Sequence, residues 1–243
     1  MLAAACLALA LHAAPAADPR LALLGAMEQE GARAMQRLRI AGYEPPFFVS
    51  YQLKDLRREE VSGRFGAVVD DASRHDRRLQ ADVRVGSYAL DSSSRDEGGM
   101  FLSADGPAWT APREAPVDDD PQALRNALWL VTDERYKEAL ASYFKKRSKG
   151  VYRADEADRA PSFTREPPQR HVDPPRPFSF DRARWRGEVR RLTALFRDHP
   201  DVFDASVKVT GEKRVRWFTS SEGSALVTEE ALYGLHVQAV ARA

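Results

Sequence analysis

The five histidines are the side chains best suited to metal binding or acid–base chemistry, and their spacing argues against a local metal motif. They are His12, His75, His171, His199 and His236. No two lie one helical turn apart and none is followed by glutamate, so the sequence lacks a pair of zinc-binding imidazoles with a neighbouring general base. The single cysteine, Cys6, lies in an apolar leader, and removal of that leader would leave no thiol. We expect no metal-ligand set and no thiol chemistry in this chain.

Three positions allow either a functional or a purely structural interpretation. His75 and Asp76 could form an acid–base pair, but their charged surroundings favour a solvated turn. His236 falls on the polar side of the last predicted strand, where it would line a cleft or be held by a hydrogen bond. Trp109, in a loop, would bind a ligand or fix the loop to the core.

Three groups of neighbouring carboxylates are candidates for paired acid–base chemistry. They are Glu59-Glu60, Asp70-Asp71 and the run Asp118 to Asp120. Because adjacent residues of a strand face opposite sides, these pairs do not predict the two facing carboxylates of a glycosidase. The sequence therefore predicts no catalytic, metal-binding or cofactor-binding residue, and it assigns no substrate-binding residue.

The charge balance argues against a nucleic-acid partner. The 243 residues include 37 Lys and Arg against 36 Asp and Glu, a net charge of +1, so the protein has no overall field to attract a polyanion. The basic cluster Lys145, Lys146, Arg147 and Lys149 is better explained as complementing the negative end of a helix. We also expect no transmembrane segment, because the leader is too short to span a bilayer.

Residues 1–17 have the character of a signal peptide. The stretch is apolar and ends in Ala14-Pro15-Ala16-Ala17, the small-x-small pattern that precedes cleavage. A buried helix and a lipid-modified Cys6 are the alternatives, and both fit the composition less well. We expect an exported, periplasmic protein.

The residues that follow predict a first α+β unit over 18–158. Asp18-Pro19 predicts the start of a helix, and strands are expected over 47–56, 59–69 and 79–90 as an antiparallel meander. Residues 91–119 are rich in Ser, Gly, Asp and Pro and predict a loop. Asp120-Pro121 predicts the start of a long helix that ends near Gly150.

A proline-rich linker over 159–180 separates this unit from a second one over 181–243. Its six prolines predict either an extended linker or a strap across the surface. A helix over 181–198 and strands over 203–209 and 214–219 follow, and Tyr233, Leu235 and Val237 share one face of a last strand. The fold class is therefore α+β, with two helix-plus-antiparallel-meander units joined by a long helix and the linker, and the second unit is expected to be truncated at its C-terminal end.

Five segments in a fixed order resemble a known family. They are Pro-Phe-Phe-Val-Ser-Tyr at 46–51, Phe-Gly-Ala-Val-Val at 65–69, Asp-Val-Arg-Val-Gly-Ser-Tyr-Ala-Leu-Asp at 82–91, Ala-Leu-Trp-Leu-Val-Thr-Asp at 127–133 with Tyr136-Lys137 after it, and Ser-Ser-Glu-Gly at 220–223. Together they resemble the N-terminal region of exported metallopeptidases related to TldD and PmbA. The resemblance covers nearly all of the chain after the leader.

The resemblance implies a hydrolase of peptides whose zinc site is elsewhere. In that family a His-Glu-x-x-x-His helix in a separate C-terminal domain binds zinc, and no segment here matches it. It implies that this chain is the non-catalytic, substrate-shaping portion. The two predicted meanders and the resemblance together suggest that an open sheet edge binds extended peptide by strand addition. The alternatives are an inert exported scaffold that holds a peptide or a partner subunit, and, least favoured, an independent hydrolase built from scattered Ser, Asp and His.

Overall fold

The computed structural model describes residues 18–93, 112–150 and 161–242, and each helix in these ranges begins after an aspartate. The helices are α1 (Pro19–Arg37), α2 (Pro121–Gly150) and α3 (Arg182–Ala194), the last continued by a 3-10 turn at Leu195–Asp198. Asp18, Asp120 and Asp181 accept hydrogen bonds from the first turns, at 2.9, 2.8 and 3.0 Å. The helix starts predicted at Asp18 and Asp120 are confirmed, and Asp181 is a third cap of the same kind.

The strands of the described residues form one six-stranded sheet. They are β1 (Pro46–Arg64), β2 (Ala67–Val85), β3 (Arg113–Glu114), β4 (Arg170–Val172), β5 (Val202–Ser220) and β6 (Ala225–Ala241). Their order is β3-β2-β1-β5-β6-β4, and every neighbouring pair is antiparallel except β4 with β6. Because β1 pairs with β5, the two hairpins β1–β2 and β5–β6 share a single sheet.

The α+β class is confirmed, but the expectation of three-stranded meanders is wrong in detail. Each unit contributes one hairpin of two long strands, β1 with β2 and β5 with β6. The predicted strand over 59–69 is divided between β1 and β2, whose turn lies at Phe65 and Gly66. The predicted break between 209 and 214 is continuous strand within β5.

The helices all pack on one face of the sheet, which we call the helix face. Its largest core joins α1 and α2 to odd-numbered strand residues that include Leu53, Leu79 and Trp217. A smaller core forms where Val189 of α3 packs among valines of β1 and β5. The other side carries even-numbered residues, most of them polar or charged, and we call it the open face.

The proline-rich segment runs as an extended strap along the edge of β6 and then across the helix face to α3. Within it, β4 pairs with residues 225–227 of β6. Further along, Phe178 stacks on Tyr233 with ring centres 5.7 Å apart, and Phe178 and Phe180 pack over Gly211. The sequence expectation of a strap agrees with this path. Among the described residues, no helix is sufficiently long and apolar to cross a membrane.

Candidate functional site

The backbone of β6 has a free edge. The Ala225 N–H donates to Gln169 O at 2.8 Å, the Asp173 N–H donates to Val227 O at 2.9 Å, and the Glu229 N–H donates to Asp173 Oδ2 at 2.9 Å. The backbone N–H and C=O groups of these odd-numbered residues therefore point away from β5. Since alternate residues of a strand direct their N–H and C=O to the same side, the odd positions from 231 to 239 also point outward. Within the described part of the chain β4 covers only 225–227, and we call 231–239 the free edge.

Apolar side chains line this free edge on the helix face. Tyr233, Leu235 and Val237 follow one another, with 57%, 64% and 53% of their surfaces exposed, and we call them the apolar stripe. Single exposed apolar residues are ordinary on protein surfaces, but a contiguous row beside unpaired backbone groups is typical of a binding surface. The shared face of these three residues was predicted from the sequence and is confirmed.

Helix α3 stops one strand short of the stripe. It buries Val189 against Val207 and Val209 of β5. Val207 lies opposite Val237, and Val209 lies opposite Leu235, so the stripe continues the apolar surface beyond the helix. An extended chain added along β6 would gain backbone hydrogen bonds and also cover this surface.

A buried carboxylate fixes the point where the free edge begins. Glu229 accepts hydrogen bonds from Arg20 Nη1 at 2.5 Å and from the Arg176 N–H at 2.8 Å, and Lys213 Nζ lies 2.7 Å away. Burial would raise the pKa of Glu229, but the Lys213 and Arg176 donors and the positive charge of Arg20 hold that pKa below its usual range. The start of the free edge is thus anchored to α1, β5 and the strap.

The charged groups around this anchor line a cavity of about 360 Å³. In it, Arg77 donates to the buried Asp55 at 2.7 Å and to Asp119 at 2.7 Å, while Arg20 pairs with Asp18 and Glu229. Each carboxylate has a cationic partner, so the arrangement is a neutral ion-pair network. It holds the two N-terminal ends of α1 and α2 against the sheet.

His75 does not pair with Asp76. It lies within β2 rather than in a turn, and its Nε2 atom is 2.8 Å from Asp55 Oδ2. This His–Asp pair has the geometry of an acid–base dyad. Among the described residues, however, no hydroxyl is hydrogen-bonded to His75, and Arg77 shares the same carboxylate oxygen. The pair lacks a nucleophile and contributes to the ion-pair network.

The neighbouring carboxylates are separated as strand geometry requires. Glu59 accepts from Ser73 on the helix face, whereas Glu60 contacts Lys208 on the open face. Asp71 pairs with two arginines of α3, Arg182 and Arg186. Asp119 contacts Arg77 and Asp120 caps α2, as described above. These carboxylates therefore act in ion pairs and caps.

The remaining sequence candidates stay apart. His236 is exposed on the open face of β6, opposite Lys208, and His171 contacts Asp173 at 2.9 Å.

In the ranges that the structure describes, no three His, Cys, Asp or Glu side chains are placed to hold a metal ion. Trp109 and Cys6 lie outside the described residues. Lys146 and Arg147 of the basic cluster contact Ser93 O and Glu44.

Comparisons with known proteins give partial similarity in fold. No family model matches the chain, and no curated protein matches it. A crystal structure of TldE from Thermococcus kodakarensis aligns with 90% of this chain at 11% identity and a TM-score of 0.49.

Two further solved structures are described as proposed modulators of DNA gyrase. The one from Thermotoga maritima aligns with 88% of this chain at 8% identity and a TM-score of 0.44. The one from Bacteroides thetaiotaomicron aligns with 92% at 9% identity and a TM-score of 0.45. The chain spans about 40% of the length of each of the three proteins. At these identities and TM-scores, no activity is transferred from these structures to this chain.

Proposed function

We propose that this chain is a non-catalytic, substrate-shaping portion of a TldD/PmbA-like zinc metallopeptidase and that it binds an extended peptide as an added strand along β6. The free edge with its apolar stripe carries the peptide-binding part of the proposal. The order of the five sequence segments supports the family part. An added strand would receive hydrogen bonds from the outward N–H groups and place alternate side chains on the stripe.

The residues present do not fit a zinc site of that family. The sequence has no His-Glu-x-x-x-His segment, and the described side chains offer no group of three suitable donors. We therefore assign no hydrolytic step to this chain. Its role in proteolysis would be to hold the peptide extended, the conformation in which a peptidase takes its substrate.

A labelled peptide tests the binding directly. The probe is a fluorescein-labelled octapeptide of alternating Thr and Val, and its control is the same peptide with alternate amides N-methylated, which removes half of its donors. We expect saturable binding of the first peptide, measured by fluorescence anisotropy, and loss of binding for the second. Equal binding of the two peptides would mean that the backbone edge is not used.

A proline variant with a matched control tests the position. Val237→Pro removes an outward N–H at a place where proline is tolerated, because it faces away from the β5 ladder. We expect the affinity for the peptide to fall by about tenfold, because one hydrogen bond to the peptide is lost and the proline disturbs the geometry of the next one. His236→Ala, on the open face, should bind as the unchanged chain does. Circular dichroism checks that both variants remain folded.

We also propose export to the periplasm, supported by the apolar residues 1–17. The N-terminal sequence of the protein recovered from cells tests this, since cleavage after Ala16 would leave Ala17 as the first residue. A chain that retains Met1 in the cytoplasm would contradict it.

A further inference from the structure

A row of three positive side chains crosses the open face of the sheet. Arg78 of β2 lies opposite Lys54 of β1, and Lys54 lies opposite Arg216 of β5. Neighbouring strands are about 5 Å apart, so three cations stand side by side across about 10 Å. We call these three residues the basic row.

The basic row lacks the ion pairs that its neighbours make. Arg58, four residues along β1 from Lys54 and on the same face, pairs with Glu60 and Glu212. By contrast, all three members of the row are exposed, and none makes an ion pair or a side-chain hydrogen bond within the ranges the structure describes. Like charges directly opposite on adjacent strands oppose pairing. The sheet thus holds an unfavourable arrangement that a bound anion would neutralise.

A cavity lies against the row. Its volume is about 460 Å³, within the range of about 300–1,000 Å³ typical of small-molecule sites. Besides the row it is lined by Leu56, Asp76 and Arg214, together with Asp55 and Val215, whose side chains belong to the helix face. On this side of the sheet the cavity therefore gathers four cations and one carboxylate.

We propose that the basic row binds a compact polyanion, a small molecule that carries two or more phosphate or carboxylate groups. Two guanidinium groups flanking an ammonium suit such a ligand, because each guanidinium can bind an oxyanion through two parallel hydrogen bonds. Glu114 of β3 lies opposite Arg78 at one end of the row. Together with Asp76, Glu212 and Glu230, it would repel a long polyanion that continued across the face. The site is separate from the free edge of β6, and neither proposal depends on the other.

Calorimetric titration of the full chain at low ionic strength, with pyrophosphate and with citrate, tests this proposal. We expect saturable binding and a raised melting temperature with at least one of them. Binding of pyrophosphate alone would identify a phosphate ligand, and binding of citrate alone would identify a polycarboxylate. Binding of both would show that the site selects its ligand by charge. No saturable binding of either, or equal stabilisation by sodium chloride at matched ionic strength, overturns the proposal.

Variants separate the row from general surface charge. Lys54→Gln should weaken binding by about tenfold or more and yet raise the melting temperature of the anion-free protein, because repulsion within the row is relieved. Arg216→Gln should weaken binding in the same way. Arg190→Gln is the control, since Arg190 is an exposed arginine on α3, on the opposite side of the sheet. Unchanged affinity in Lys54→Gln, or an equal loss in Arg190→Gln, overturns the proposal.

Discussion

The Nη1 atom of Arg20, in the first turn of α1, lies 2.5 Å from the Oε2 atom of Glu229 in β6, although 209 residues separate them in sequence. Glu229 also contacts Lys213 of β5 and the backbone of Arg176 in the strap. One buried carboxylate therefore connects the first helix, two strands and the strap at the position where β6 becomes a free edge.

Glu229→Gln should lower the free energy of unfolding by about 2–4 kcal/mol. The substitution removes the negative charge, so Lys213 loses its carboxylate partner and Arg20 keeps only Asp18, and removing one member of a buried ion pair is costly. Urea unfolding measures the effect. Glu188→Gln is the control, because its pair with Arg191 is exposed and should change stability by less than about 0.5 kcal/mol. Equal effects of the two substitutions would contradict this role of Glu229.

Acid should weaken the same contact. The pKa of Glu229 is lower in the folded chain than in the unfolded one, so the unfolded chain takes up the proton first as pH falls. The stability that Glu229 contributes is thus present above about pH 4.3, the ordinary glutamate value, and is lost as pH falls through the lowered folded pKa. Urea midpoints measured from neutral pH to about pH 3 should fall less steeply in Glu229→Gln than in the unchanged chain. Parallel curves would contradict the assignment.

The strand count shows where sequence periodicity is insufficient. The first half of β2, from Ala67 to Asp76, is mostly exposed, so no alternation of apolar residues marks it as strand. It is held by pairing with β1 across the hairpin and by polar contacts such as Ser73 with Glu59, and neither is visible in the apolar pattern of residues 67–76. In β5, the residues between 209 and 214 were predicted as a break, but the structure has them inside one strand, where Phe180 packs over Gly211.

The candidate sites were predictable to different degrees. The apolar stripe followed from alternation in the sequence, because side-chain period alone places Tyr233, Leu235 and Val237 together. The outward direction of the backbone along 231–239 depends on which strand is the neighbour, so no side-chain pattern encodes it. The basic row is likewise invisible in sequence, since Lys54, Arg78 and Arg216 meet only through the register of three strands. The net charge of +1 for the whole chain does not indicate this local cluster of positive side chains.

Leu235→Lys should reduce self-association of the purified chain. A lysine on an exposed edge strand opposes pairing with another chain, and Leu235 is exposed enough for its loss to change stability by less than about 0.5 kcal/mol. Light scattering at increasing protein concentration measures the effect. Leu195→Lys provides the control, because Leu195 is similarly exposed but lies after α3, away from the edge. An equal reduction in both variants would show that general surface hydrophobicity, rather than the free edge, causes association.

Two glycines test how closely α3 must approach the sheet. A Cβ atom at Gly63 would lie 2.5 Å from Val189 Cγ1 and 2.6 Å from Ala67 O, closer than atoms can pack. Gly63→Ala should therefore push α3 outward and lower the free energy of unfolding by about 1–3 kcal/mol. Gly187 lies in α3 with no atom within 4 Å of its Cβ position, so Gly187→Ala should raise stability by about 0.5–1 kcal/mol. Urea unfolding of the two variants should give shifts of opposite sign, and shifts of the same sign would contradict the close packing of α3 on β1.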